Sequence, residues 1–168
     1  MIVFIAAIRA LLIAFTATVA IMFMAAVITK YPKIHVLVFV FYLSGIFYIT
    51  LFSRVASEEG QGVNLLPFRF VYWIIQYAKG PTYHGVFRPI LGVYMNILMF
   101  IPFGFLAKVW KPTMAPWKII LAGFGFSLII ESAQLVFHLG MFETDDLITN
   151  TVGTWVGTVI YRKQMERI

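Results

Sequence analysis

Apolar runs long enough to cross a lipid bilayer constrain this chain more than any other feature of its sequence. A membrane-spanning helix needs about 20 mostly apolar residues. Five segments come close to that length, at about 8–29, 34–52, 90–109, 117–138 and 146–161. The fifth is the weakest, because it is short and starts with polar residues. We therefore predict an all-α fold, a polytopic transmembrane helical bundle of about five spans, as a single domain over residues 1–168.

The composition supports a membrane protein and excludes several other classes. Hydrophobic residues make up 61% of the chain and charged residues only 12%, about half the charged fraction of a typical soluble domain. The net charge of +6 fits basic cytoplasmic loops, so no nucleic-acid partner is predicted. The absence of cysteine excludes disulfides and thiolate chemistry. No soluble-enzyme, nucleotide-binding or metal-ligand motif is present, so we predict no cofactor and no metal site.

The first 30 residues resemble a signal peptide, with Arg9 followed by a long apolar run. That run is longer than the apolar region of a signal peptide, and no clear A-x-A cleavage site ends it before Lys30. We predict that it is retained as the first spanning helix.

The long connection 53–89 contains an aromatic-rich stretch from Phe68 to Ala78 that is too short to span a bilayer. Such a stretch is typical of a helix that lies in the membrane interface or re-enters it. We predict this helix at about 64–78, with Pro67 near its start, where a missing N–H costs little.

The orientation follows from basic residues in the short connections. Lysines in the turn 30–33 and in the loop 108–118, and the basic tail beyond residue 161, fall on the same side of a five-span bundle. That side should be cytoplasmic, which places the N-terminus outside and the C-terminus inside. The predicted outer connection departs from this bias, since it contains Arg54, Arg69, Lys79 and Arg88.

Polar and small residues share one face in each of the last three spans. Because polar side chains inside a bilayer turn toward other helices or water, and glycines four residues apart let helices approach closely, these three faces should meet. The faces consist of Gly92 and Asn96 in the third span, with Pro102 and Gly104 farther in; Glu131, Gln134 and His138 in the fourth; and Asp146, Asn150, Gly153 and Gly157 in the fifth.

The depth of these residues predicts a pocket in the outer half of the membrane. With a rise of 1.5 Å per residue, Glu131 lies roughly 12 Å and Asn96 roughly 9 Å from the outer ends of their helices. A structural reading stays open for each residue. Glu131 can be a protonated carboxyl that bonds a neighbouring helix, Gln134 and Asn96 can join helices as amides, and Asp145 and Asp146 can cap a helix. The arginines of the outer connection can extend to lipid head groups.

Four motifs occur in a fixed order: NLLPF at 64–68, NILMFIPFGFL at 96–106, ESAQL at 131–135 and DDLITNTVGTWVG at 145–157. In this respect the chain resembles the VanZ-like family of small bacterial membrane proteins over about residues 50–161. The resemblance implies a place in the bacterial cytoplasmic membrane and a role in the cell envelope. The family is named for a protein associated with resistance to teicoplanin, a lipid-bearing glycopeptide antibiotic.

The resemblance extends to individual positions: Asn64, Pro67, Asn96, Pro102, Gly104, Glu131, Gln134, Asp146, Asn150 and Gly153. The chain departs from the family in one turn. Many members have a basic residue in a G-R-x-F-D pattern before the paired aspartates, whereas residues 139–146 here read LGMFETDD. A partner arginine for Asp145 from this turn is therefore not expected.

Two functional hypotheses remain open from the sequence. The pocket can modify a lipid-linked envelope precursor, with Glu131 as general acid or base and Asp146 orienting it. It can instead bind a membrane lipid or lipopeptide without chemistry. A third hypothesis, a proton-relaying transporter, ranks last because acids are nearly absent from the inner half of the predicted bundle. The candidate binding residues, which include arginines suited to an anionic head group, are Asn64, Arg69, Arg88, Asn96, Gln134, Asp145 and Asn150.

Overall fold

The computed structural model describes residues 32–52, 62–79 and 87–165. The predicted first span, 8–29, lies outside these residues. Within them the chain forms five helices and two short strands, in the order α1 Pro32–Phe52, β1 Gly62–Asn64, α2 Arg69–Lys79, α3 Phe87–Trp110, α4 Pro116–Val136, β2 Met141–Glu143 and α5 Thr144–Met165.

The predominantly helical fold is confirmed, and two of its helices are long and apolar enough to cross a membrane. These are Ile90–Trp110 within α3 and Pro116–Val136, which is α4. They correspond to the predicted third and fourth spans. In α1 the apolar stretch His35–Tyr48 is shorter. The full set of five spans therefore stays a prediction.

Local chemistry explains where the last two helices begin. Helix α4 starts at Pro116, where the missing N–H of proline leaves no hydrogen bond unmade. Helix α5 has Asp145 and Asp146 in its first turn and Arg162 and Lys163 in its last turn. Acids near the positive N-terminus and bases near the negative C-terminus both stabilise a helix.

The end of α4 differs from the prediction by two residues. The N–H of Leu139 bonds to the carbonyl of Gln134 at 2.8 Å, and the N–H of His138 bonds to Leu135 at 3.3 Å. His138 adopts a left-handed φ of 56°. These features define a Schellman motif, which ends a helix and usually has glycine at this position. The prediction that His138 continues the helical face of Glu131 and Gln134 is therefore wrong.

The two short strands were not predicted. They pair in parallel, with Gly62 opposite Met141 and Asn64 opposite Glu143. This pairing replaces the first turn of the predicted helix at 64–78, and α2 begins only at Arg69. Pro67 and Phe68 form the turn between strand and helix, and Phe68 has a left-handed φ of 60°.

Close contacts between glycines of α5 and the backbone of α3 show how these two helices are oriented. A Cβ on Gly153 would overlap the Ile97 carbonyl, and one on Gly157 would overlap the Ile101 carbonyl. From Gly153 to Gly157 the contact moves from Ile97 to Ile101. Helices α3 and α5 therefore run parallel, and their backbones approach closely. Helix α4 connects them and runs in the opposite direction.

Thr154 marks the point where three helices meet. Its side chain is fully buried and lies between Gly104 of α3 and Gly123 of α4. Any side chain at either glycine would collide with Thr154, at its backbone from Gly104 and at its side chain from Gly123. Small residues at such a crossing permit the close packing on which helix association in membranes depends.

An aromatic cluster packs α1 against α3 and α4. The ring of Phe103 lies 5.4 Å from Phe39 in an edge-on arrangement and 5.7 Å from Phe126 in a stacked one. Both are favourable geometries for aromatic pairs. The Tyr42 hydroxyl donates a hydrogen bond to the Met99 carbonyl, so its polar group is satisfied within the apolar core.

The glycine crossing generates a prediction about stability. Replacing Gly104 with alanine places a Cβ against the Thr154 carbonyl, whereas a Cβ on Gly92, in the same helix, meets no described atom within 4 Å. Overpacking typically costs about 1–3 kcal/mol. We expect Gly104→Ala to lower the thermal unfolding midpoint of the detergent-solubilised protein, and Gly92→Ala to leave it unchanged or raise it. A Gly104→Ala midpoint equal to that of Gly92→Ala would contradict the close packing.

Candidate functional site

Polar side chains gather where α4 ends and α5 begins. We name the group formed by Asn64, Ser127, Glu131, Gln134, Glu143, Asp145 and Asn150 the polar cluster. Six of these side chains are buried and Glu143 is half-buried. On α4, Ser127, Glu131 and Gln134 share one helical face at spacings of four and three residues. Glu131 precedes the end of the helix at Val136 by five residues, roughly 8 Å along the axis.

Glu131 supports the strand β2. Its side chain is only 2% exposed, and its Oε2 accepts the backbone N–H of Glu143 at 3.0 Å. The Glu143 side chain in turn accepts the Nδ2 of Asn64 at 3.2 Å. A buried carboxyl that accepts a backbone amide thus connects α4 to the strand pair.

Asn64 and Asp145 hold the segment that leads into α2. The Oδ1 of Asn64 accepts the N–H of Leu66 at 3.3 Å, a local turn that asparagine commonly forms. Asp145 accepts the N–H of Phe68 with one oxygen and that of Phe70, at 2.9 Å, with the other. Asp145 therefore clamps the first turn of α2, and it lies in the first turn of α5.

Gln134 and Asn150 each donate one hydrogen bond and leave one acceptor unmatched. The Nε2 of Gln134 donates to the Thr50 carbonyl at 3.1 Å, and the Nδ2 of Asn150 donates to the Ser127 hydroxyl at 2.8 Å. Their carbonyl oxygens are buried and have no hydrogen-bond partner among the described residues. An unmatched buried acceptor costs about 1–3 kcal/mol, so these two oxygens are suited to accept from water or from a donor on a ligand.

The remaining predicted residues are Asn96, Asp146, Arg69 and Arg88. Asn96 and Asp146 are half-buried in α3 and α5. Arg69 is half-buried at the start of α2, and its guanidinium lies 5.5 Å from the Trp73 ring centroid, within cation–π range. Arg88 lies in α3, and its side chain is outside the described residues. Of the predicted residues, the structure brings together Asn64, Glu131, Gln134, Asp145 and Asn150.

Three residues that belong to the cluster or bond to it were not predicted from the sequence. Ser127 precedes Glu131 by one helical turn, so the same periodicity that indicated Gln134 also contained it. Glu143 was predicted to lie in a loop. Its contact with Asn64 follows from the strand pairing, which the sequence did not predict. Thr50 contributes a backbone carbonyl, which has no sequence signal.

Comparison with known proteins assigns the chain to a family. A family model described as VanZ/LLP1 matches residues 39–165, most of the chain and every residue of the polar cluster. The chain belongs to the VanZ/LLP1 family. The resemblance inferred from the four motifs is therefore confirmed, and the matched region starts earlier in the chain than the motifs indicated.

A VanZ relative extends this assignment. The chain is 29% identical over 130 residues to "Protein VanZ" of Enterococcus faecium, a match that covers 71% of this chain and 68% of that protein. No solved structure matches the chain. The VanZ/LLP1 assignment therefore rests on sequence alone, and the geometry of the polar cluster comes from the present structure.

The Asp145 clamp generates a prediction about local stability. Asp145→Ala removes the acceptor for two backbone amides, and hydrogen bonds to a charged group contribute about 1.5–3 kcal/mol. We expect amide hydrogen exchange in peptides covering 66–72 to accelerate by about tenfold or more. Peptides from the middle of α4 should exchange as in the wild type. Unchanged exchange at 66–72 would show that the clamp does not hold α2.

Proposed function

We propose that the chain is a five-span protein of the bacterial cytoplasmic membrane, with its N-terminus outside and its C-terminus in the cytoplasm. The charge distribution supports this orientation. All acidic residues of the described ranges lie at the end where α4 stops and α5 starts, which we name the acidic end. The opposite, basic end contains Lys108, Lys111, Lys118, Arg162 and Lys163. Lysine and arginine collect on the cytoplasmic side of membrane proteins, so the basic end faces the cytoplasm.

Helix lengths also support the proposed spans. Helices α1, α3, α4 and α5 contain 21, 24, 21 and 22 residues, and a hydrocarbon core about 30 Å thick needs about 20 residues. Helix α5 is the least apolar of the four, because Gly153, Gly157, Thr154 and Asn150 contact α3 and α4. The outward side chains Val152 and Trp155 are exposed, as expected for a helix that meets lipid on its outer side only.

Tryptophans at the basic end fit a membrane boundary. Trp110 and Trp117 are exposed, and Lys111 and Lys118 lie 5.2 Å and 5.5 Å from their ring centroids. Tryptophan is enriched at both membrane–water interfaces. Lysine beside such a ring keeps its charge near the head groups while its aliphatic part covers apolar surface.

The polar cluster, on this proposal, binds a lipid-linked component of the cell envelope without catalysing a reaction. The observation that carries it is the pair of buried, unmatched carbonyl oxygens of Gln134 and Asn150, which would accept hydrogen bonds from the ligand. Membership of the VanZ/LLP1 family, which the resemblance associates with the envelope and teicoplanin, supports this class of ligand. The acids favour binding over catalysis, since Glu131 and Asp145 both hold backbone amides in place.

The orientation can be measured because the chain has no cysteine. Single substitutions Phe137→Cys and Thr113→Cys introduce a thiol at exposed positions of the acidic and basic ends. We expect a membrane-impermeant maleimide to label Phe137→Cys in intact cells, and Thr113→Cys only after the cells are broken. The reverse labelling pattern would show that the orientation is inverted. Labelling of both variants in intact cells would contradict a closed five-span bundle.

The binding role can be tested by native mass spectrometry with lipid analysis of the gently purified protein. Glu131→Gln keeps an oxygen that accepts the Glu143 N–H, so we expect it to retain the co-purifying lipid within about twofold. Asn96→Ala removes the half-buried amide of a predicted binding residue in α3. We expect this variant to lose most of the lipid while it stays folded.

Two outcomes would contradict a non-catalytic binder. If Glu131→Gln retains the lipid but abolishes an envelope phenotype that the wild type confers, Glu131 acts as a catalyst. If no lipid is selectively retained and Asn96→Ala only lowers stability, the polar cluster joins helices and has no ligand. Gly92→Ala, one turn away on the same helix, serves as the matched control for both measurements.

A further inference from the structure

A cavity at the acidic end lies outside the polar cluster. It has a volume of about 360 Å³ and is lined by Leu66, Pro67, Phe68, Arg69, Tyr72 and Trp73. Among the described residues of this lining, Arg69 is the only charged one. The cavity is therefore an apolar and aromatic surface with one cation.

The position of Arg69 is fixed from two sides. Its guanidinium lies against the Trp73 ring at 5.5 Å, which restricts its orientation. The backbone on either side of Arg69 is held by Asp145, because the amides of Phe68 and Phe70 donate to the two carboxylate oxygens. An arginine whose orientation is fixed in advance loses less conformational entropy when it binds a ligand.

The charge of Arg69 is available for an anion. The nearby carboxylate of Asp145 already accepts two backbone amides, and no carboxylate among the described residues pairs with Arg69. The planar guanidinium presents donors in a fork that matches phosphate oxygens. Phosphate therefore complements the cavity in both charge and geometry.

The surface around the cavity indicates the source of that phosphate. Leu65 and Leu66 are 67% and 68% exposed, and Phe68, Val71, Tyr72 and Ile75 are also exposed. A contiguous exposed apolar surface of this kind marks an interaction site. Because it lies beside the end of the apolar helices α3 and α4, the hydrocarbon of a lipid is the partner that can cover it, with its phosphate at Arg69.

We propose that the cavity formed by residues 66–69, Tyr72 and Trp73 binds the phosphate group of a membrane lipid, with Arg69 as its cation and the lipid chains against Leu66, Phe68 and Tyr72. This deepens the proposed function and rests on it, since it names the phosphate-bearing lipids as the ligand class. It adds a second, charged subsite to the hydrogen-bonding groups of the polar cluster.

The experiment is a binding titration of the full chain in an uncharged detergent, followed by native mass spectrometry. Dioleoyl phosphatidate is the probe, dioleoylglycerol has the same chains without phosphate, and inorganic phosphate lacks the chains. Arg69→Gln removes the charge, and Arg69→Lys keeps the charge but loses the fork. Lys118→Gln is the matched control, because Lys118 lies at the same 5.5 Å distance from a tryptophan ring at the opposite end and lines no part of this cavity.

We expect phosphatidate to bind at least about tenfold more tightly than dioleoylglycerol, and inorganic phosphate at millimolar concentration not to displace it. Arg69→Gln should weaken phosphatidate binding by about tenfold, Arg69→Lys by less, and Lys118→Gln by no more than about twofold. Retention of dioleoylglycerol should be unaffected by Arg69→Gln.

Three results would overturn the proposal. Equal losses in Arg69→Gln and Lys118→Gln would mean that only the overall positive charge attracts the lipid. Equal binding of dioleoylglycerol would mean that the cavity recognises chains alone. Displacement by inorganic phosphate would identify a site for the free anion. A failure of the proposed function gives a different result from a failure of this proposal. If the polar cluster binds no ligand, Asn96→Ala has no effect on the co-purified lipid, and the results of the Arg69 variants do not change.

Discussion

The contact of Thr154 with Gly104 and Gly123 is the constraint on which the rest of the structure depends. It brings the backbones of α3, α4 and α5 within a distance that no larger side chain permits. The Thr154 hydroxyl donates to the Asn150 carbonyl one turn earlier at 3.1 Å, so the polar group at the crossing is satisfied. Asn150 then faces Ser127 of α4. The close crossing thus positions the deepest pair of the polar cluster.

Glu131 and Asp145 have a structural role that the rarity of acids in membrane helices did not predict. A carboxylate in the membrane interior is costly, and it persists where it forms specific hydrogen bonds. Glu131 bonds the backbone of β2, and Asp145 bonds the backbone that enters α2. Together they attach strand β2 and the turn before α2 to the end of the helical bundle. The unmatched oxygens of Gln134 and Asn150 and the Arg69 cavity lie beside this support, and on our proposal they are the groups that bind the ligand.

The sequence predicted the features that have a periodic signal. The apolar runs located α3 and α4 to within a few residues, and the spacing of polar residues indicated that Glu131, Gln134 and Asn150 turn inward. Features that depend on contacts between distant segments were not predictable. Three-residue strands contain no period to detect, so the pairing of Asn64 with Glu143 and the late start of α2 were missed. His138 was misplaced because glycine is the usual residue where a helix ends with a left-handed turn.

On our proposal, the acidic end holds a lipid-linked envelope component. The most direct measurement is photo-crosslinking in living cells, with the photoreactive residue benzoylphenylalanine at Val63, an exposed position of β1 beside Asn64, or at Trp117 at the basic end. Mass analysis of the adducts should show a phosphate-bearing envelope lipid enriched at the Val63 position over its abundance in the membrane, and bulk phospholipids alone at the Trp117 position. Identical adducts at both positions, in proportion to membrane composition, would contradict the account.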